Sequence, residues 1–126
     1  MYLFLNKGLG MSTGKAAAQV AHAAVEAYRL SPAKAQNAWY LGNHYTKLVM
    51  VAEDEAQLDT YERYINDRGF RTSLIIDEGR TEITAHSKTA LGVEIVDKAD
   101  PHVQATFEGF KLYPKDEKRR KGGFGW

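Results

Sequence analysis

The alanine-rich segment at residues 15–29 constrains the fold of this chain most. It contains no glycine or proline, and alanine has the highest helix propensity of all residues, so a helix is predicted over Lys15–Arg29. Ser12 or Thr13 can cap its first turn. A glycine-rich loop at residues 7–14 precedes it, and the short apolar run Tyr2–Leu5 before that loop is typical of a buried strand. The chain therefore opens as strand, loop and helix.

The remainder of the chain repeats the alternation of strand and helix. Strands are predicted over Lys47–Ala52, Thr72–Ile76 and Thr89–Val96, helices over residues 32–41, Asp54–Arg68 and Pro101–Phe107, and a last extended piece over Phe110–Tyr113. The run at residues 47–52 is apolar on both faces, which predicts a central strand. The order predicts an α/β fold: a single three-layer domain with a mixed four-stranded sheet and helices on both faces.

Composition excludes several classes of protein. Cysteine is absent, which rules out a disulfide scaffold, a thiolate metal site and a cysteine nucleophile. No apolar run approaches the roughly 20 residues that span a bilayer, and the N-terminal residues do not resemble a signal peptide. We therefore expect a cytoplasmic protein with no membrane partner. The net charge of +1 gives no overall basic field, so any contact with RNA must come from local patches.

One face of the predicted first helix carries a polar stripe. At about 100° per residue, Lys15, Gln19, His22 and Glu26 fall on one narrow face. Most such stripes are solvated, but this one starts at a helix N-terminus, which favours anions, and Lys15 follows Gly14. The pattern therefore favours a binding or catalytic role for Lys15 and Gln19. His22 fits such a role and a buried structural histidine equally well.

A second polar patch, Asp77–Glu82, follows the predicted third strand. The carboxyl ends of strands line the ligand crevice in many α/β sheets, although Asp and Gly are also common in ordinary turns. The four histidines show none of the spacings of a zinc site, and no nucleophile elbow occurs. We expect neither a metal nor a cofactor. The spacing of Gly10 and Gly14 is too short for a P-loop, which argues against a small-nucleotide binder.

Taken together, the two patches resemble the archaeal-type (type 2) peptidyl-tRNA hydrolase family. Its first signature corresponds to Gly10-Met11-Ser12-Thr13-Gly14-Lys15 followed by Ala17-Ala18-Gln19-Val20-Ala21-His22-Ala23, and its second corresponds to Asp77-Glu78-Gly79-Arg80-Thr81. The resemblance covers most of the chain and implies a domain at residues 1–113 with a basic, flexible tail at residues 114–126. Glu82 stands where the family usually has Gln, and the family's Gly-Pro after the last strand is missing.

The resemblance implies hydrolysis of the ester bond of peptidyl-tRNA, with peptidyl-tRNA as partner and a possible homodimer. Asp77 would position or deprotonate the water and Lys15 would stabilise the oxyanion or a phosphate, with Gln19, His22 and Thr81 orienting these groups. RNA contacts would come from Gly14, Lys15, Arg80 and Thr89, and from Lys118, Arg119 and Arg120 in the tail. Arg80 would serve equally as a structural partner of Asp77. The alternative is a catalytically inactive RNA-binding or protein-interaction module of the same fold.

Overall fold

The computed structural model describes residues 1–42, 44–78 and 86–115. Its strands are β1 (Tyr2–Asn6), β2 (Leu48–Ala52), β3 (Thr72–Ile76) and β4 (Lys88–Val93), and its helices are α1 (Thr13–Leu30), α2 (Ala33–Gly42), α3 (Glu55–Asp67) and α4 (Pro101–Phe107), with a 3-10 turn at Lys7–Leu9. Side chains cap three of the helices: Ser12 for α1, Asp54 for α3 and Asp100 for α4. The predicted order of strands and helices is confirmed.

The described strands form one mixed sheet in the order β2-β1-β4-β3. β1 is parallel to β2, whereas β4 is antiparallel to both of its neighbours. The prediction that β2 is central is wrong, because β2 lies at an edge. Its outer side is covered by the C-terminal segment, in which the Val51 N–H donates to the Lys111 carbonyl at 2.9 Å and the Tyr113 N–H donates to the Val49 carbonyl at 2.8 Å.

Helices cover both faces of the sheet, so the predicted three-layer architecture is confirmed. On one face, Leu3, Leu5, Ile75 and Ala90 pack against Ala23 and Ala27 of α1 and Trp39 of α2. On the other face, Phe4, Met50, Leu91 and Val93 pack against Leu58 and Ile65 of α3 and Val103 and Phe107 of α4. The alternation along β1 is the period of two expected of a strand buried on both sides. β2 is apolar throughout for the same reason.

An unusually close contact seats α1 on β4. A Cβ atom added at Gly92 would lie 2.4 Å from the Ala23 carbonyl oxygen, so only glycine fits this position. Ala23 and Ala27, both fully buried, continue the contact along α1. The small residues on both partners bring the helix backbone directly onto the strand. Polar side chains of α1 can therefore reach groups on β4.

β4 ends at Val93, three residues earlier than the predicted end at Val96. The Glu94 N–H still donates to the Arg71 carbonyl at 3.0 Å, and the backbone leaves the ladder after it. The Ile95 N–H donates instead to the Ser31 hydroxyl at 2.8 Å, immediately after the C-terminal end of α1. The partner of the Ile95 N–H is thus a side chain at the end of α1 rather than the backbone of a neighbouring strand. In the described part of the chain, no helix is long and apolar enough to cross a membrane.

Candidate active site

The two sequence patches meet in one ion pair. Lys15 Nζ lies 2.6 Å from Asp77 Oδ1, and the side chains are only 9% and 6% exposed. The contact joins the first turn of α1 to the residue after β3, across 62 positions of sequence. Such a pair loses its hydration on burial, so removing one partner leaves an uncompensated charge in a poorly solvated place. Lys15 and Asp77, to which the family resemblance assigns roles in one reaction, therefore lie side by side.

The start of α1 fixes the position of Lys15. The Ser12 hydroxyl accepts a hydrogen bond from the Lys15 N–H at 3.2 Å, and the Ser12 carbonyl accepts one from the Ala16 N–H at 2.9 Å. Of the two candidate caps, Ser12 is therefore the cap and Thr13 is the first helical residue. The N-terminal end of a helix carries partial positive charge, so the helix and the ammonium together favour an anion here.

Asp77 sits where β3 leads into the connection to β4. Its N–H donates to the Ser87 carbonyl at 2.9 Å, and its carbonyl accepts from the His86 N–H at 2.7 Å. These two bonds join the two ends of the connection and fix the backbone of Asp77 where the connection begins. Arg80, Thr81 and Glu82 lie in this connection, outside the described residues.

Gln19 and Thr89 form a buried hydrogen bond beside the ion pair. The Thr89 hydroxyl donates to Gln19 Oε1 at 2.6 Å, and Gln19 is nearly buried. This bond fixes the amide with its oxygen toward Thr89 and its NH₂ group on the other side. The expectation that Thr89 contacts RNA is wrong for this structure, because its side chain is 0% exposed and its hydroxyl is used inside the protein.

The remainder of the polar stripe on α1 does not join the ion pair. His22 is exposed, so the reading as a buried structural histidine is wrong. Glu26 pairs with Arg29 at 2.8 Å near the far end of the helix. Gly14 is exposed at the start of α1, and an added Cβ would contact nothing within 4 Å. Only Lys15 and Gln19 turn inward, because they lie where the helix meets β3 and β4.

Other polar contacts near the site join residues that are far apart in the sequence, so no local motif predicts them. The Thr89 contact with Gln19 has no local signal in the sequence, since it spans 70 positions. Asn6 at the end of β1 is also buried and donates to the Lys88 carbonyl at 2.9 Å, while its oxygen accepts from the Gly8 N–H. In the ranges that the structure describes, no three His, Cys, Asp or Glu side chains are grouped to hold a metal. The predicted tail contacts Lys118, Arg119 and Arg120 lie outside these ranges.

Comparisons with known proteins match the sequence of this chain to one family. The family described as "Peptidyl-tRNA hydrolase PTH2" matches residues 1–113. The chain is 38% identical over 113 residues to "Peptidyl-tRNA hydrolase 2, mitochondrial" of Mus musculus, covering 82% of this chain and 61% of that protein. It is 36% identical over 110 residues to "Peptidyl-tRNA hydrolase" of Thermococcus onnurineus, covering 81% of this chain and 92% of that protein. The chain thus spans about three fifths of the length of the mammalian relatives.

Proposed function

Since the chain belongs to the peptidyl-tRNA hydrolase PTH2 family, we propose that it hydrolyses the ester bond of peptidyl-tRNA and releases free tRNA and a peptide. The observation that carries the proposal is the buried contact between Lys15 and Asp77. It unites the two segments that form the family's signatures, and it places a carboxylate, an ammonium and a helix N-terminus in one site. These groups suit water activation and stabilisation of an oxyanion.

The chemical step needs one water molecule. Asp77 accepts a proton from this water while the water oxygen attacks the ester carbonyl carbon. The carbonyl oxygen becomes an oxyanion, which the Lys15 ammonium and the first N–H groups of α1 stabilise. The bond to the ribose oxygen then breaks, and that oxygen takes the proton from Asp77 as it leaves. The peptide carboxylic acid formed in this way loses its remaining proton to solvent, so the products are a peptide carboxylate, a proton and tRNA with a free terminal ribose hydroxyl.

Neighbouring groups hold this geometry. Thr89 holds the Gln19 amide oxygen, and the Gln19 NH₂ group donates to the substrate beside Lys15. His22, exposed on α1, orients substrate from the solvent side. Thr81 supports the water. Further RNA contacts come from Gly14 and Lys15, and from Arg80, Lys118, Arg119 and Arg120.

Two further properties belong to the proposal. The resemblance supports a homodimer, which light scattering would detect as twice the chain mass. A composition without cysteine is compatible with the reducing cytoplasm, where we place the protein, and cell fractionation tests this location.

The test is hydrolysis of an N-blocked aminoacyl-tRNA. We expect the wild type to release tRNA and the Lys15→Met and Asp77→Asn variants to lose about 100-fold or more of turnover, because each removes a group that acts on the reacting atoms. Asp59→Asn is the matched control. It breaks a second lysine–aspartate pair, in which Lys88 of β4 lies 2.8 Å from Asp59 of α3. Both side chains are about one third exposed.

The alternative function gives a different result. An inactive RNA-binding module would bind the tRNA and leave the ester intact in the wild type. Circular dichroism of each variant is part of the experiment, because breaking a buried pair also lowers stability. Full turnover by a folded Lys15→Met protein would remove Lys15 from the mechanism.

A further inference from the structure

A groove lined by aromatic side chains lies between the C-terminal half of α1, helix α2 and the segment that leads into β2. Its volume is about 430 Å³, and it is widely open to solvent. This aromatic groove is lined chiefly by Tyr28, Arg29, Trp39, Tyr40, Tyr45 and Lys47. Trp39 is buried, whereas Tyr28, Tyr40 and Tyr45 are 40%, 53% and 44% exposed. The groove therefore presents several rings to solvent.

The charged side chains in the described lining of the groove are both cationic. Lys47 Nζ lies 5.1 Å from the centre of the Trp39 ring and 5.6 Å from that of Tyr45, and it donates to the Tyr45 carbonyl at 2.7 Å. Arg29 lies at the rim, where Glu26 is its carboxylate neighbour. Exposed rings combined with cations are what single-stranded nucleic acids bind: bases stack on the rings and phosphates meet the positive charge.

The groove and the ion pair lie on the same helix. Tyr28 follows Lys15 by thirteen positions, which corresponds to about 20 Å along α1. Between them, the exposed positions of α1 carry Ala17, Ala18, Ala21, His22 and Val25, of which three are alanines. A strand whose end sits at Lys15 can therefore run along the alanines of α1 and pass His22 and Val25 to reach the aromatic groove.

We propose that the aromatic groove stacks unpaired nucleobases of the tRNA substrate, on the stretch that leads to its ester-bearing end. The inference rests on the proposed hydrolysis of peptidyl-tRNA. Lys47 and Arg29 neutralise the phosphates of the same stretch. A second copy of the chain fits the groove less well, because a two-fold contact would gather the Arg29 and Lys47 side chains of both copies in one interface.

Binding of deacylated tRNA to the full chain, measured by fluorescence anisotropy over a range of salt concentrations, tests this inference. We expect Tyr40→Ala to weaken binding about tenfold, as expected for the loss of one stacked base. Lys47→Gln should reduce the slope of log K against log salt by about 0.7, the value for one phosphate contact with a single strand. Tyr64→Ala on α3 and Lys111→Gln, both exposed and outside the groove, are matched controls.

Hydrolysis kinetics provide an independent readout. Because the groove is distant from the ester, Tyr40→Ala should raise KM and leave kcat unchanged. Wild-type binding and KM in both groove variants, with hydrolysis intact, would overturn the inference and leave the proposed function standing. A Tyr40→Ala protein that loses only its dimeric mass in light scattering would assign the groove to a second copy and equally overturn it. Absence of hydrolysis in the wild type, with the groove effects on tRNA binding present, would overturn the proposed function alone.

Discussion

Separating the Lys15–Asp77 pair should cost far more stability than separating an exposed pair of the same chemistry. Each side chain is less than one tenth exposed, so either Lys15→Met or Asp77→Asn leaves its partner charge without compensation. Such single changes cost about 3–5 kcal/mol, out of about 5–15 kcal/mol for a whole domain. The double variant removes both charges, and we expect it to lose at least about 2 kcal/mol less than the sum of the singles.

Urea unfolding followed by circular dichroism measures this coupling. The Lys88–Asp59 pair, about one third exposed on each side, is the reference, and its coupling should be about 0.2–1 kcal/mol. Each cycle needs four proteins, with the slope of the transition compared across all of them to confirm a common unfolded state. Additive losses at Lys15 and Asp77, or a coupling no larger than that of the reference pair, would refute a buried ion pair at this site.

Three further outcomes are expected. Thr89→Val leaves the buried Gln19 oxygen without its donor, so it should lower the free energy of unfolding by about 1–3 kcal/mol and also lower kcat. Thr89→Ser keeps the hydroxyl and should keep most activity. Equal activity of the two variants would exclude a positioning role for the hydroxyl. Gly92→Ala forces a Cβ against the Ala23 carbonyl, so the free energy of unfolding measured in urea should fall by more than about 2 kcal/mol. An unchanged urea midpoint would contradict the close contact. Burial, with nearby lysines, lowers the pKa of the Met1 amino group from 8.0 to about 6. The folded protein thus binds fewer protons than the unfolded chain between these values, so its stability should rise from pH 6 to 8, by about 1 kcal/mol after allowance for solvent screening. An N-acetylated protein, which lacks this titration, should not show that part of the rise.

The sequence allowed the local structure to be predicted better than the pairing of distant elements. Alanine propensity and the Ser12 cap define α1 within a few residues. The two motifs supplied Lys15 and Asp77 as candidates, and the structure brings them together. The edge position of β2 was missed because the hydrophobic pattern of a strand shows only whether its two faces are buried. It does not show which strands lie beside it in the sheet. Thr89 was misassigned because its burial depends on how closely α1 seats on β4, which is set by Gly92.

The pairing of residues 111–113 with β2 bears on how this protein avoids aggregation. An uncovered edge strand offers a row of backbone donors and acceptors to other chains, and apolar edges are the most hazardous. β2 is wholly apolar in its Leu-Val-Met-Val-Ala sequence, yet the N–H of Val51 and the carbonyl of Val49 are already occupied by this segment. Residues 111–113 thus protect the edge of the sheet. A shortened chain that ends before Lys111 would expose β2 to pairing with strands of other molecules.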